Sequence, residues 1–221
     1  MFGCIIAKNT VTPVGIPSIG AFQPERRKRS MKKLILGRHG QQKNDPADTS
    51  FWKRRAPLDT AQLDVLCAVR DFHGTERTYE GRVWDSGLDR AKETAELLAR
   101  QTSLTAIELD PEAIWGEDVW KAVSFQSDGK TEKSAAEMVV QHEDIVRPIG
   151  FLGANFLRRK VAEAPVDSQT MAITHGPIVD FIAGKLLQQW PLLTTFGKGD
   201  LLALDMYDDG MEGLYSADML R

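Results

Sequence analysis

The sequence predicts an α/β domain, a three-layer arrangement in which a mostly parallel sheet carries helices on both faces. Two observations carry that expectation. Short apolar runs alternate along the chain with longer stretches of helical period. Two of those runs end close to a histidine followed by a glycine: Thr174 is followed at once by His175-Gly176, and Leu36 is followed after Gly37-Arg38 by His39-Gly40. A run that is apolar at nearly every position suits a strand buried on both faces, and helical crossovers between parallel strands supply that burial. Ligands then bind outside the carboxyl ends of the strands.

Residues 1–30 stand apart. They hold Lys8, Arg26, Arg27, Lys28 and Arg29 against the single acid Glu25, among Pro, Gly and small apolar residues. We expect an unstructured arm or a start placed upstream of the domain, with Met31-Lys32-Lys33 as the natural beginning of a domain over 31–221. The acid-poor, Arg-containing composition leaves organelle targeting as an alternative, while a basic cluster that follows the apolar stretch has the wrong order for a secretory signal.

Within the domain, the first strand is expected over 33–36. A polar loop through Lys53-Arg54-Arg55 precedes a helix over 60–72, where Leu63, Leu66, Cys67 and Val69 follow helical spacing. A strand over 82–84 leads into a helix over 89–101. A short strand over 105–109 comes next, then a loop holding Trp115 and Trp120. A long helix over 134–160 is expected to break around Pro148. A strand over 170–174 feeds a helix over 177–189 that Pro177 opens, since proline suits a first helical turn. Residues 200–206 supply the last strand.

Composition narrows the class. A chain of 221 residues with 42% hydrophobic residues can bury one substantial core, so one folded domain is expected. Beyond residue 30 there are 23 basic and 30 acidic residues, and an acidic body with net charge −7 argues against general nucleic-acid binding. Cys4 and Cys67 are too few and too far apart for a disulfide framework, which suits a reducing, cytoplasmic setting. No apolar stretch is long enough to cross a bilayer. The oligomeric state is not legible.

Chemistry concentrates at the strand ends. In Leu34-Ile-Leu-Gly-Arg-His-Gly40 an apolar run stops at Arg38 and His39 between two glycines. Arginine offers a permanently charged planar fork to a phosphate, and histidine can be a neutral nucleophile near physiological pH. In the segment 83–95, Ser86-Gly87 lead into a helix with Arg90 near its start, a position that itself favours anions. His175 and Gly176 repeat the strand-His-Gly pattern. Two histidines and two arginines are thereby directed to one site.

These motifs resemble those of the histidine phosphatase superfamily, the phosphoglycerate mutase-like group that includes mutases, acid phosphatases and phosphohistidine phosphatases. The chain matches its strand-Arg-His-Gly signature at Arg38, His39 and Gly40. It matches Ser-x-x-x-Arg-Ala-x-x-Thr-Ala from Ser86 to Ala95, and the later His-Gly at His175 and Gly176. The order is also that of the family, over about residues 31–206. One departure is Gln42, where many relatives carry Ser or Thr. The segment 56–62 is a worn copy of the family's Leu-Thr-x-x-Gly-x-x-Gln helix start.

The resemblance implies a phosphoryl enzyme formed on His39 and hydrolysed by water. Arg38, Arg90 and His175 would hold the non-bridging oxygens, with no metal and no cofactor. Gly40, Gln41, Asp45 and Gly176 are expected around the substrate. Glu112, in a Glu-x-x-x-Gly pattern, is the expected proton donor, with Glu117 as the alternative, while phosphohistidine phosphatases of the family dispense with the acid. The expected partner is a phosphorylated small molecule or a phosphohistidine protein. A phosphate-recognising module without turnover is the alternative from another class, and a mutase is disfavoured by the lack of a large insertion. His73 and His142 are assigned no role.

Overall fold

A computed structural model of the chain describes residues 31–43, 57–59, 83–99, 105–106, 116–166, 168–190, 195–207 and 216–220. The expectations for the arm over 1–30, the helix over 60–72, Asp45, Glu112 and Trp115 lie outside these residues.

The strands are β1 (Met31–Arg38), β2 (Val83–Asp85), β3 (Thr105–Ala106), β4 (Gln169–Thr174), β5 (Leu201–Tyr207) and β6 (Ser216–Leu220). They form one sheet in the order β3-β2-β4-β1-β5-β6. β1 and β4 are parallel neighbours, with Arg38 opposite Thr174, and β2 and β3 continue the parallel half beyond β4. The mostly parallel sheet expected from sequence is therefore a mixed one. β5 runs antiparallel to β1, and β6 antiparallel to β5. The cause is where the chain re-enters the sheet. The Arg38 N–H donates to the Asp200 carbonyl at 3.0 Å, so β5 begins beside the carboxyl end of β1 and can only run back down it.

Side chains alternate along β1 as the pleat requires. Leu34 and Leu36, with Ala172, Leu202 and Leu204, enter one apolar cluster; Ile35, with Met171, Ile173 and Leu201, enters another. The helices divide between the two. α1 (Asp89–Ala99) places Ala91, Ala95 and Leu98 against Ile35 and its neighbours. α2 (Glu117–Ser124), α3 (Ala135–Glu163) and α4 (Ile178–Leu186) pack on the Leu34 side through Trp120, Met138, Ile149, Leu157, Phe181 and Ile182. Gly150 lets α3 press on α4, since a Cβ there would stand 2.6 Å from the Phe181 carbonyl oxygen. Lys32, buried on β1, uses its Nζ to satisfy the Ala162 and Ala164 carbonyls at the end of α3, at 2.9 and 2.5 Å.

Two helical expectations need correction. Trp120 lies on α2 and not in a loop: Glu117 and Asp118 begin that helix, where acids complement its dipole, and Trp120 and Val123 form its buried side. α3 begins where expected, with Ser134 and Glu137 forming a capping box, but its irregular residue is His142 (φ −143°, ψ 41°) and not Pro148. Pro148 leaves the Asp144 carbonyl without its helical N–H, yet the helix continues through it to Glu163. Among the described residues no helix is long and apolar enough to cross a membrane.

Candidate active site

Adjacent strand ends bring the two histidines together. The His39 N–H donates to the Thr174 carbonyl at 2.8 Å, and His175 is the next residue of that chain segment. Arg90 arrives from the other neighbour of β4: β2 ends in Asp85, whose Oδ1 accepts the Gly87 N–H at 2.7 Å, and this tight turn starts α1 with Arg90 as its second residue. Arg38, His39, Arg90 and His175 line one cavity of about 620 Å³, together with Gln42, Trp120, Ser124, Gly176 and Asp180.

His39 is 3% exposed. Its Nδ1 lies 2.6 Å from the Gly40 carbonyl oxygen, a distance at which the ring nitrogen carries the proton and donates it. Nε2 is thereby the lone-pair nitrogen, and it accepts the Arg90 Nε–H at 3.0 Å. Burial, then the Arg90 cation, and to a smaller extent His175 and Arg38, hold the His39 pKa well below the usual histidine value. The ring is neutral at physiological pH.

The backbone around it is fixed from α1. Thr94, one turn beyond Arg90, donates from Oγ1 to the Arg90 carbonyl at 2.6 Å and accepts the Gly40 N–H at 3.1 Å. One hydroxyl therefore ties the residue that orients His39 to the helix that carries Arg90. Thr94 stands inside the Ser86–Ala95 motif, yet only its position marked it.

Arg38 is held differently. Its Nη1 donates to the Phe196 carbonyl at 2.7 Å, while its Nε is buried with no partner among the described residues. Gly176 lies against the guanidinium: a Cβ there would stand 2.7 Å from Cζ and 2.9 Å from Nε. The glycine of the second His-Gly pair is thus a space requirement of the first arginine.

The remaining sequence expectations separate. Gly40 supplies the carbonyl under His39 but does not line the cavity, and Gln41 does not line it either; Gln42 does. Glu117 pairs with Lys121 on the surface of α2 and is not on the cavity wall. Among the described residues the carboxylates on that wall are Glu132, Glu137 and Asp180, none of them expected from sequence. Asp180 is 2% exposed, and its Oδ1 accepts the Phe196 N–H at 2.8 Å. Burial pushes its carboxyl up to about 6, against the opposing pull of the Phe196 bond and Arg38. A polar residue five positions after a catalytic histidine candidate carries no local signal of this kind, because its partner lies sixteen residues further along.

No family model and no curated protein matches the chain by sequence. Solved structures do match. The protein histidine phosphatase SixA, determined with tungstate, superposes with a TM-score of 0.53 at 17% identity, over 85% of this chain and 93% of that one. The Entamoeba histolytica phosphoserine phosphatase in complex with 3-phosphoglyceric acid gives 0.54 at 17%, over 85% and 96%. A Bacillus anthracis phosphoglycerate mutase gives 0.50 at 16%, over 85% and 93%. All three are members of the histidine phosphatase superfamily, and the fold of this chain is theirs.

Proposed function

We propose that the chain is a histidine phosphatase, hydrolysing a phosphomonoester or a phosphoramidate through a phosphoryl group carried on His39. The observation that carries this reading is the state of His39: a buried neutral imidazole whose Nδ1 proton is held by Gly40 and whose Nε2 lone pair faces Arg90 inside a cationic cavity. A module that only recognises phosphate gains nothing from a desolvated neutral histidine; a nucleophile needs one.

In the first step Nε2 bonds to phosphorus and the bond from phosphorus to the leaving oxygen or nitrogen breaks. The leaving group takes up a proton. The Gly40 carbonyl stabilises the positive charge that develops on the ring, and Arg90, whose Nε–H donates to Nε2, turns its donors to the phosphoryl oxygens. Arg38 adds a second guanidinium to the wall, and His175 a second imidazole. In the second step water attacks phosphorus, the P–N bond breaks, and inorganic phosphate leaves with His39 neutral again. Phosphoryl transfer of this type is dominated by positioning and charge compensation, which two arginines can provide without a metal ion.

Glu112 remains our proton donor for alkyl leaving groups; a phosphoramidate needs little help to depart. The substrate class proposed is a phosphorylated small molecule or phosphohistidine in a protein, and the sheet with separate apolar clusters on its two sides supports the three-layer frame on which such a site is built. Purified protein should hydrolyse a generic aryl phosphate in the presence of EDTA, and His39→Ala should abolish turnover with the melting curve retained. Activity that needs a divalent metal, or that survives His39→Ala, overturns the reading.

A further inference from the structure

We propose that Asp180 is a positioning residue that holds the Arg38 guanidinium in the cavity through the backbone of Phe196; this rests on the phosphate-handling role given to Arg38 above. The connection is two hydrogen bonds on one residue. Asp180 Oδ1 accepts from the Phe196 N–H at 2.8 Å, and the Phe196 carbonyl accepts from Arg38 Nη1 at 2.7 Å. The Phe196 side chain is fully buried in the larger apolar cluster, so the residue between the two bonds is anchored as well.

The turn that follows encloses the end of β1. The Gly199 N–H donates to the His39 carbonyl at 3.1 Å and the Arg38 N–H to the Asp200 carbonyl at 3.0 Å, while the Gly197 N–H donates to Asp200 Oδ2 at 2.8 Å. Residues 196–200 are therefore fastened to β1 on one side, and Asp180 fastens them to α4 on the other. An apolar residue in the first turn of α4 would fill the same buried place at lower desolvation cost. What Asp180 adds is an acceptor for an otherwise orphaned N–H and, through it, a fixed carbonyl for the arginine. The charged groups facing it are Arg38 from β1 and Asp200 from the turn. Glu137 of α3 shares the cavity wall but is engaged with Ser134.

The test is a double-mutant cycle read by calorimetric binding of inorganic phosphate and by kcat and KM on an aryl phosphate. Asp180→Ala should weaken phosphate binding and lower kcat/KM by about 10-fold or more, the scale of a charge-assisted contact left misaligned. Asp180→Asn keeps an oxygen acceptor for the Phe196 N–H and should recover most of the loss. In an Arg38→Ala background, Asp180→Ala should cost little more, because its effect travels through Arg38. Equal losses with and without Arg38, an Asn variant no better than Ala, or wild-type behaviour in Asp180→Ala would each overturn the proposal. If Asp180→Ala does not fold, Asp180→Leu, which fills the volume without an acceptor, takes its place in the cycle. Wild-type protein that binds phosphate but turns over no substrate overturns the proposed function alone, and the binding arm still decides Asp180; wild-type protein that does not bind phosphate overturns both.

Discussion

Adding one methyl group at Gly176 should disable the site without unfolding the chain. The ideal Cβ position lies 2.7 Å from Arg38 Cζ, 2.9 Å from Nε and 3.0 Å from Nη1. Comfortable contact between carbon atoms is about 3.5–4.0 Å, so the guanidinium must retreat by about 1 Å. A retreat on that scale strains the 2.7 Å bond from Nη1 to the Phe196 carbonyl. Misplacing a charge-compensating group by about 1 Å can cost about 100-fold in rate, or about 2.7 kcal/mol of transition-state stabilisation. Gly176 does not use the left-handed backbone region, where an alanine would be strained. Steady-state hydrolysis of an aryl phosphate by Gly176→Ala should therefore show kcat/KM reduced by about 100-fold with circular dichroism and melting temperature close to wild type. A variant within threefold of wild type would refute the view that close packing of Gly176 on Arg38 sets the arginine's position.

Three further outcomes concern stability. Because His39 is held neutral well below its ordinary pKa, the stability it contributes is complete above about pH 6.5 and is lost as pH falls toward the folded-state value. Melts from pH 7.5 down to 5 should show wild type losing ground relative to His39→Asn, and a pH-independent gap would contradict the assignment. Asp180 has the opposite sign: its carboxyl rises from 3.8 to about 6 on folding, so the folded chain prefers the protonated form and stability falls as pH climbs through that window, by about 3 kcal/mol. Denaturant titrations at pH 4.5, 5.5 and 7 should lack this component in Asp180→Asn; equal slopes in both proteins would rule it out. Ser134→Ala removes the hydroxyl that caps α3 at the Glu137 N–H, and a loss of about 1 kcal/mol should lower the melting temperature by about 2–4 °C; an unchanged melt would mean the cap carries no weight.

The sequence was most legible where burial on both faces leaves a continuous apolar signal. Leu34-Ile35-Leu36 and Met171-Ala172-Ile173 could hardly be anything but central strands, and the His-Gly pairs that end them meet because β1 and β4 are parallel neighbours in register. The direction of β5 was not legible: Leu201 to Met206 reads as a strand whichever way it runs, and only the bond from Arg38 to Asp200 shows which end of the sheet it starts from. β6 was missed because Ser216-Ala-Asp-Met-Leu220 has no continuous apolar run, although Asp209-Gly210 between the two strands is a turn signal that could have suggested a hairpin. The helix around Trp120 was legible in principle, from Glu117-Asp118 followed by Trp120 and Val123, but its eight residues are too few for the helical period to stand out. Asp180 and Thr94 illustrate a different limit. Their importance lies in partners at Phe196 and Gly40, distant in sequence, and no local pattern encodes a bond across the fold.

His39 is the proposed carrier of the phosphoryl group. Protein mixed rapidly with an aryl phosphate labelled at phosphorus, quenched in alkali to preserve phosphoramidate bonds, and mapped by mass spectrometry tests it directly. Label is expected on His39, absent from His39→Ala and discharged as inorganic phosphate when turnover is allowed to finish. Label on His175 or any other residue, or turnover without any labelled protein at the earliest times, would contradict it.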